Sequence, residues 1–129
     1  MTDPNHRRRQ AHLVLAAAVS GLASVAAVLY RFPPETFGFY PPCPFHALTG
    51  LLCPGCGATR ALAALVHGNI AEAVHWNALF VILLPMLAVY LAIEYVRAIS
   101  GRPSLQVPSP AMVALLATAI SFGVLRNIV

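Results

Sequence analysis

The sequence predicts an all-α integral membrane protein with about three transmembrane helices, and three observations predict it. Charged residues make up 9% of the 129 positions and hydrophobic residues 59%, whereas a soluble domain carries about a quarter charged residues. A soluble fold this small leaves much of its chain at the surface and cannot hide so much apolar area. The apolar residues also fall in long blocks without Asp, Glu, Lys or Arg, the first running from Ala11 to Tyr30. Finally, Pro- and Gly-rich stretches punctuate these blocks, and all three cysteines lie in one such stretch, between positions 43 and 56. The length suits a single domain over 1–129.

Residues 1–10 read as a short, poorly ordered basic tail containing Arg7, Arg8 and Arg9. The first span is 11–30: twenty helical residues rise about 30 Å, the thickness of the hydrocarbon core. Ser20, Gly21 and Ser24 suit close helix packing in lipid. A cleaved signal peptide competes, with the arginines as its basic start and Val25-Ala26-Ala27 as its cleavage site. The apolar block is longer than the usual signal core of about 7–15 residues, which favours a retained anchor.

A motif loop fills 31–76. Pro33, Pro34, Pro41 and Pro42 break the helix. The interleaved Tyr30, Phe32, Phe37, Phe39 and Tyr40 favour the headgroup level. The following segment is apolar, yet it carries Gly50, Pro54, Gly55, Gly57 and Arg60. Irregular backbone cannot face hydrocarbon, because its polar groups would have no partner. A turn at Cys53–Gly57 is therefore expected, then an interfacial or re-entrant helix from Ala58 to His67, closed by Gly68. Asn69 and Glu72 form a capping box for another short helix that ends at His75-Trp76-Asn77, with Trp76 as an interface anchor.

The second span is 77–96, kinked at Pro85, with Glu94 pairing with Arg97 at its far end. A Pro-rich loop covers 97–110, and 111–127 forms a third span that is short unless Arg126 snorkels to the interface. Arg7, Arg8, Arg9, Arg97 and Arg102 fall on one side, against Arg31 and Arg60 on the other. The larger group belongs in the cytoplasm, which places the N-terminus inside and the cysteine loop outside. The arginine run reads as this orientation signal and not as a nucleic-acid contact, since no further basic patch accompanies it.

The chemistry lies in the run from Cys43-Pro44 to Cys53-Pro54-Gly55-Cys56-Gly57-Ala58-Thr59-Arg60. Two cysteines separated by two residues bring their sulfurs to one centre. Pro54 stiffens the turn, while Gly55 and Gly57 permit positive φ, letting N–H groups face sulfur. Three readings stay open. Cys43, Cys53 and Cys56 with His46 or His67 make a metal set, with zinc as the obvious ion. Cys53 and Cys56 alternatively form a reversible disulfide, with Cys43 free to exchange. The cysteines otherwise pack as small apolar side chains. Arg60 either lowers a thiol pKa or caps loop carbonyls and meets lipid phosphate, with Glu72 as the nearest acidic partner. His67 also reads as a helix-end cap, His75 as an interface residue, and His6 and His12 as headgroup contacts. No Ser-His-Asp set, carboxylate pair or phosphate-binding Gly-rich loop is visible, which weighs against an enzyme.

These residues resemble DUF2752, a family of small bacterial membrane proteins of unknown function. The resemblance rests on Cys43-Pro44, Leu48-Thr49-Gly50, Cys53-Pro54-Gly55-Cys56-Gly57, Thr59-Arg60-Ala61, His67-Gly68 and Asn77-Ala78-Leu79. Ala78 stands where Pro is common in that family. The resemblance implies a multi-span inner-membrane protein and supplies no reaction. The functional expectation is a non-enzymatic subunit or scaffold of a membrane assembly, its cysteine knuckle holding the loop and its partners being lipid and other membrane subunits. The alternative is an extracytoplasmic thiol-redox or metal-handling protein that uses Cys53 and Cys56.

Overall fold

A computed structural model describes residues 4–128; Met1–Asp3, the start of the expected basic tail, lie outside the described residues. Five helices follow in order: α1 (Pro4–Arg31), α2 (Pro44–Thr49), α3 (Ala58–Val66), α4 (Ile70–Ile99) and α5 (Ser109–Leu125). The all-helical expectation is met among the described residues. Two of these helices, α1 and α4, are long and apolar enough to cross a membrane, whereas α5 is shorter.

α1 begins seven residues earlier than expected, so the arginine run is helical and not an irregular tail. Proline fits the first helical turn because the N–H it lacks has no helical partner there. α1 and α4 run antiparallel, held together where α1 begins and α4 ends. There the Arg8 Nε donates to the Ile99 carbonyl at 3.0 Å, and Tyr95 Oη lies 2.9 Å from His12 Nδ1. Where α1 ends, the Tyr30 ring stacks on His67, the residue that closes α3, with centroids 4.9 Å apart.

α3 and the first turns of α4 pack into a small core of Ala61, Ala64 and Ala73, edged by Leu65, Trp76, Phe80 and Val81. Alanine at the contact lets the backbones approach closely, as small residues do between helices in lipid. The corner between the helices is compact. Gly68 takes φ 79°, the Asn69 N–H bonds back to the Ala64 carbonyl and the Gly68 N–H to the Leu65 carbonyl, which closes α3 as a Schellman motif. Asn69 then caps α4 by accepting from the Glu72 N–H at 3.2 Å. With the Asn69 N–H already used, the Glu72 carboxylate takes the Asn69 side-chain amide instead, at 2.7 Å.

Several expectations are corrected. The short helix expected to end at His75-Trp76-Asn77 and the span expected from 77 do meet at a break at Asn77 (φ −161°, ψ 91°), but they run on as one element, α4, with Pro85 inside its long part. Glu94 accepts from the Leu105 N–H and Arg97 donates twice to the Pro103 carbonyl, so both serve the 100–108 loop in place of pairing with each other. Trp76 packs into the α3–α4 core, its Nε1 buried without a partner among the described residues. Its ring carries the Arg60 guanidinium at 4.6 Å from the centroid. Arg60 therefore meets an aromatic face, not Glu72.

Overpacking tests the core directly. Ala61 is 0% exposed, so Ala61→Leu should destabilise the helical head by about 1–3 kcal/mol, read as a lower midpoint in detergent thermal unfolding.

Candidate metal centre

The site is built by three consecutive turns. Phe37 and Phe39 each pack edge-on against Phe32, and the Tyr40 hydroxyl donates to the Phe32 carbonyl at 2.6 Å. This folds the Pro-rich segment back and delivers Cys43. Cys43 is the N-cap of α2, with Pro44 following at the first helical position. α2 was not foreseen; it lasts six residues and ends at Gly50, which takes φ 73°. The chain then enters the Cys53–Gly57 turn, closed by Cys56 N–H to Cys53 carbonyl and Ala58 N–H to Gly55 carbonyl, both at 3.0 Å. This expected turn leads into α3, also as expected.

The turns bring three sulfurs together. Cys53 Sγ lies 3.0 Å from Cys56 Sγ and 3.5 Å from Cys43 Sγ, and all three fall within 4.8 Å of one another. The Cys53 N–H also points at Cys56 Sγ, at 3.2 Å. The environments differ. The N–H of His46 in the first turn of α2, then the neighbouring Cys53 thiol, hold the Cys43 pKa below the ordinary thiol value. Burial pushes Cys56 up to about 11.

Neither histidine joins the cluster among the described residues. His46 Nδ1 lies 3.2 Å from the Leu51 carbonyl. His67 Nδ1 sits 2.8 Å from the Ala63 carbonyl at the end of α3, with its ring on Tyr30; this is the helix-end role. Arg60 is over Trp76, and Thr59 is exposed on α3.

Three residues outside the cysteine motif hold the loop. Asn77 is 1% exposed. Its Nδ2 donates to the Pro54 carbonyl at 2.9 Å and to the Cys56 carbonyl at 3.1 Å, while its Oδ1 accepts from the Phe80 N–H. Arg126, expected to snorkel, instead donates to the Cys56 carbonyl at 2.7 Å and the Trp76 carbonyl at 3.0 Å. Asn127 pairs with the backbone of Leu52 on both sides, accepting from its N–H and donating to its carbonyl, each at 2.8 Å. Gly123 lets α5 come this close, since a Cβ there would meet Pro54 at 3.0 Å. Gly57 is more constrained still: its φ is 85°, and a Cβ would lie 2.6 Å from the Trp76 carbonyl oxygen. In sequence Asn77 is marked only as an amide at the entry of an apolar block and as part of the resemblance; nothing local marks Arg126 or Asn127 as contacts of the loop.

Residues 43–91 match the family model of DUF2752, a protein of unknown function. The resemblance read from the motif is thereby supported over that segment. The DUF2752 segment holds all three cysteines, α3 and Asn77, while the contacts from α5 lie outside it. No curated protein and no solved structure matches the chain.

The two thiol environments give a kinetic expectation for the metal-free reduced protein. At pH 8 a maleimide should label Cys43 before Cys56, and the gap should narrow as pH rises toward 11, followed by peptide mass spectrometry. Asn77→Ala leaves buried carbonyls with fewer donors, at a cost of about 1–3 kcal/mol, and should speed Cys56 labelling more than Cys43 labelling.

Proposed function

We propose that this chain is a small, non-enzymatic inner-membrane protein whose extracytoplasmic knuckle binds a thiophilic metal ion through Cys43, Cys53 and Cys56. One observation carries this reading: three sulfurs from two separate turns close into a single triangle. Around an ion bound at about 2.3 Å, tetrahedral sulfurs stand about 3.8 Å apart. The spacings of 3.0 and 3.5 Å need only a small opening to admit one. The loop is fixed by amides and a guanidinium that touch its carbonyls and leave the sulfurs free to ligate. Hydrogen bonds that fix the backbone carrying the ligands support metal binding.

The 3.0 Å approach of Cys53 and Cys56 favours a second reading, an extracytoplasmic thiol-redox protein built on a reversible disulfide. The triangle supports the first reading better. Thiol–disulfide exchange proceeds by thiolate attack on a disulfide sulfur, with the attacking, attacked and leaving sulfurs nearly in line during the displacement, whereas here the three enclose a common point.

In this reading the chain spans the bilayer three times, α5 being the third span. Its last turn meets the knuckle, while the loop before it is tied to the opposite end of α4. Seventeen residues rise about 25 Å, and the flanking polar residues complete the crossing. Five arginines, Arg7, Arg8, Arg9, Arg97 and Arg102, belong to the cytoplasmic end and three, Arg31, Arg60 and Arg126, to the other. Exposed Ser20, Gly21 and Ser24 on α1 support close packing with a helix of a partner subunit.

Native mass spectrometry of detergent-purified protein should find one metal ion per chain, lost in Cys53→Ser. A metal-free chain with three freely alkylated thiols, or with an isolated Cys53–Cys56 disulfide, would overturn the metal reading. Orientation is tested separately: a membrane-impermeant maleimide should label Cys43 in intact spheroplasts after metal chelation. Labelling only after lysis would place the knuckle inside.

A further inference from the structure

The donor set constrains which ion the knuckle takes. Among the described residues the cluster contains three cysteine sulfurs and no nitrogen or oxygen ligand from His, Asp or Glu. Neither histidine near it in sequence lies in the cluster: His46 turns Nδ1 to the Leu51 carbonyl, and His67 turns Nδ1 to the Ala63 carbonyl with its ring on Tyr30. The loop has little freedom to recruit a fourth side chain. Asn77 holds it at Pro54 and Cys56, Arg126 again at Cys56, and Asn127 at both polar groups of Leu52.

Zinc in structural sites takes four ligands in a closed tetrahedron. Three sulfurs alone would leave it one short, with the remaining position given to water. Thiolate sulfur suits copper(I) and zinc alike, but a monovalent d¹⁰ ion is satisfied by two or three soft donors, so the number of sulfurs decides between them. Resting on the metal-binding reading above, we infer that the knuckle is a trigonal three-sulfur site selective for copper(I) over zinc.

Access to the site supports the same ion. Cys53, bonded through neither side of its thiol to anything but sulfur, also lines a groove of about 370 Å³ between α2 and α5, bordered by Phe45, Pro54, Ile120 and Val124. A weakly hydrated monovalent ion crosses such apolar walls at lower desolvation cost than a divalent one, whose charge holds its water more strongly. The groove therefore leads a soft, low-charge ion to the central sulfur.

The test uses the full chain in detergent under anaerobic reducing conditions. It is titrated with copper(I) against a copper(I) chelator and, in parallel, with zinc against a zinc chelator. One equivalent of copper(I) is expected to bind and give an ultraviolet thiolate-to-copper band, with X-ray absorption showing three sulfur neighbours and no nitrogen. Zinc present at equal concentration should not displace it. The band should vanish in Cys53→Ser and Cys43→Ser and persist in His46→Ala and His67→Ala. Tight zinc binding that displaces copper, or copper binding lost in His46→Ala, would overturn the trigonal copper assignment while leaving a metal site in place. Failure of the wild-type chain, folded by circular dichroism, to hold either ion would overturn the metal reading itself.

Discussion

The knuckle depends on one buried carboxamide. Asn77 sits where α4 breaks, and its two ends face opposite tasks: the oxygen caps the long apolar helix at Phe80, and the nitrogen collects the carbonyls of Pro54 and Cys56. A buried amide is stable only with its hydrogen bonds satisfied, so the start of the long apolar helix and the shape of the cysteine turn become a single requirement. The non-helical φ and ψ at this residue follow from it. A capping residue adopts extended backbone so that its side chain can reach N–H groups ahead of it.

Around that joint the energetics differ from those of a soluble core. Few side chains are fully buried; the inner contacts are mostly alanines, and the long helices carry their apolar residues outward. What orders the head is therefore close backbone approach and a set of polar groups that satisfy irregular carbonyls, the condition under which non-helical chain is tolerated near a membrane. Gly57 shows how tight the approach is, since its hydrogen faces the Trp76 carbonyl where no carbon fits.

How much of this was legible in the sequence follows from the range of each interaction. The apolar blocks, the turn at Cys53–Gly57, the helix after it and the Asn69–Glu72 cap are set by neighbours within a few residues, and these expectations match the structure. The meeting of Cys43 with Cys53 was proposed from clustering, and an unforeseen helix of six residues delivers it. Arg126 and Asn127 act across 70 and 75 positions. An arginine at the end of an apolar helix looks the same in sequence whether it meets phosphate or a backbone carbonyl. Arg60 misled for a similar reason: its acidic neighbour in sequence is occupied by Asn69, and an indole face replaces it.

The odd number of thiols, with Cys53 central among them, makes the cluster vulnerable in an oxidising compartment. A bond from Cys53 to either neighbour removes two of the three sulfurs at once and strands the third. If Cys53 joins Cys56, the stranded thiol is Cys43, the more acidic and better exposed of the outer pair. That thiolate is the one most able to attack the Cys53–Cys56 disulfide of a second chain, releasing one of its two sulfurs as a thiol, so damage at the knuckle would surface as covalent dimers.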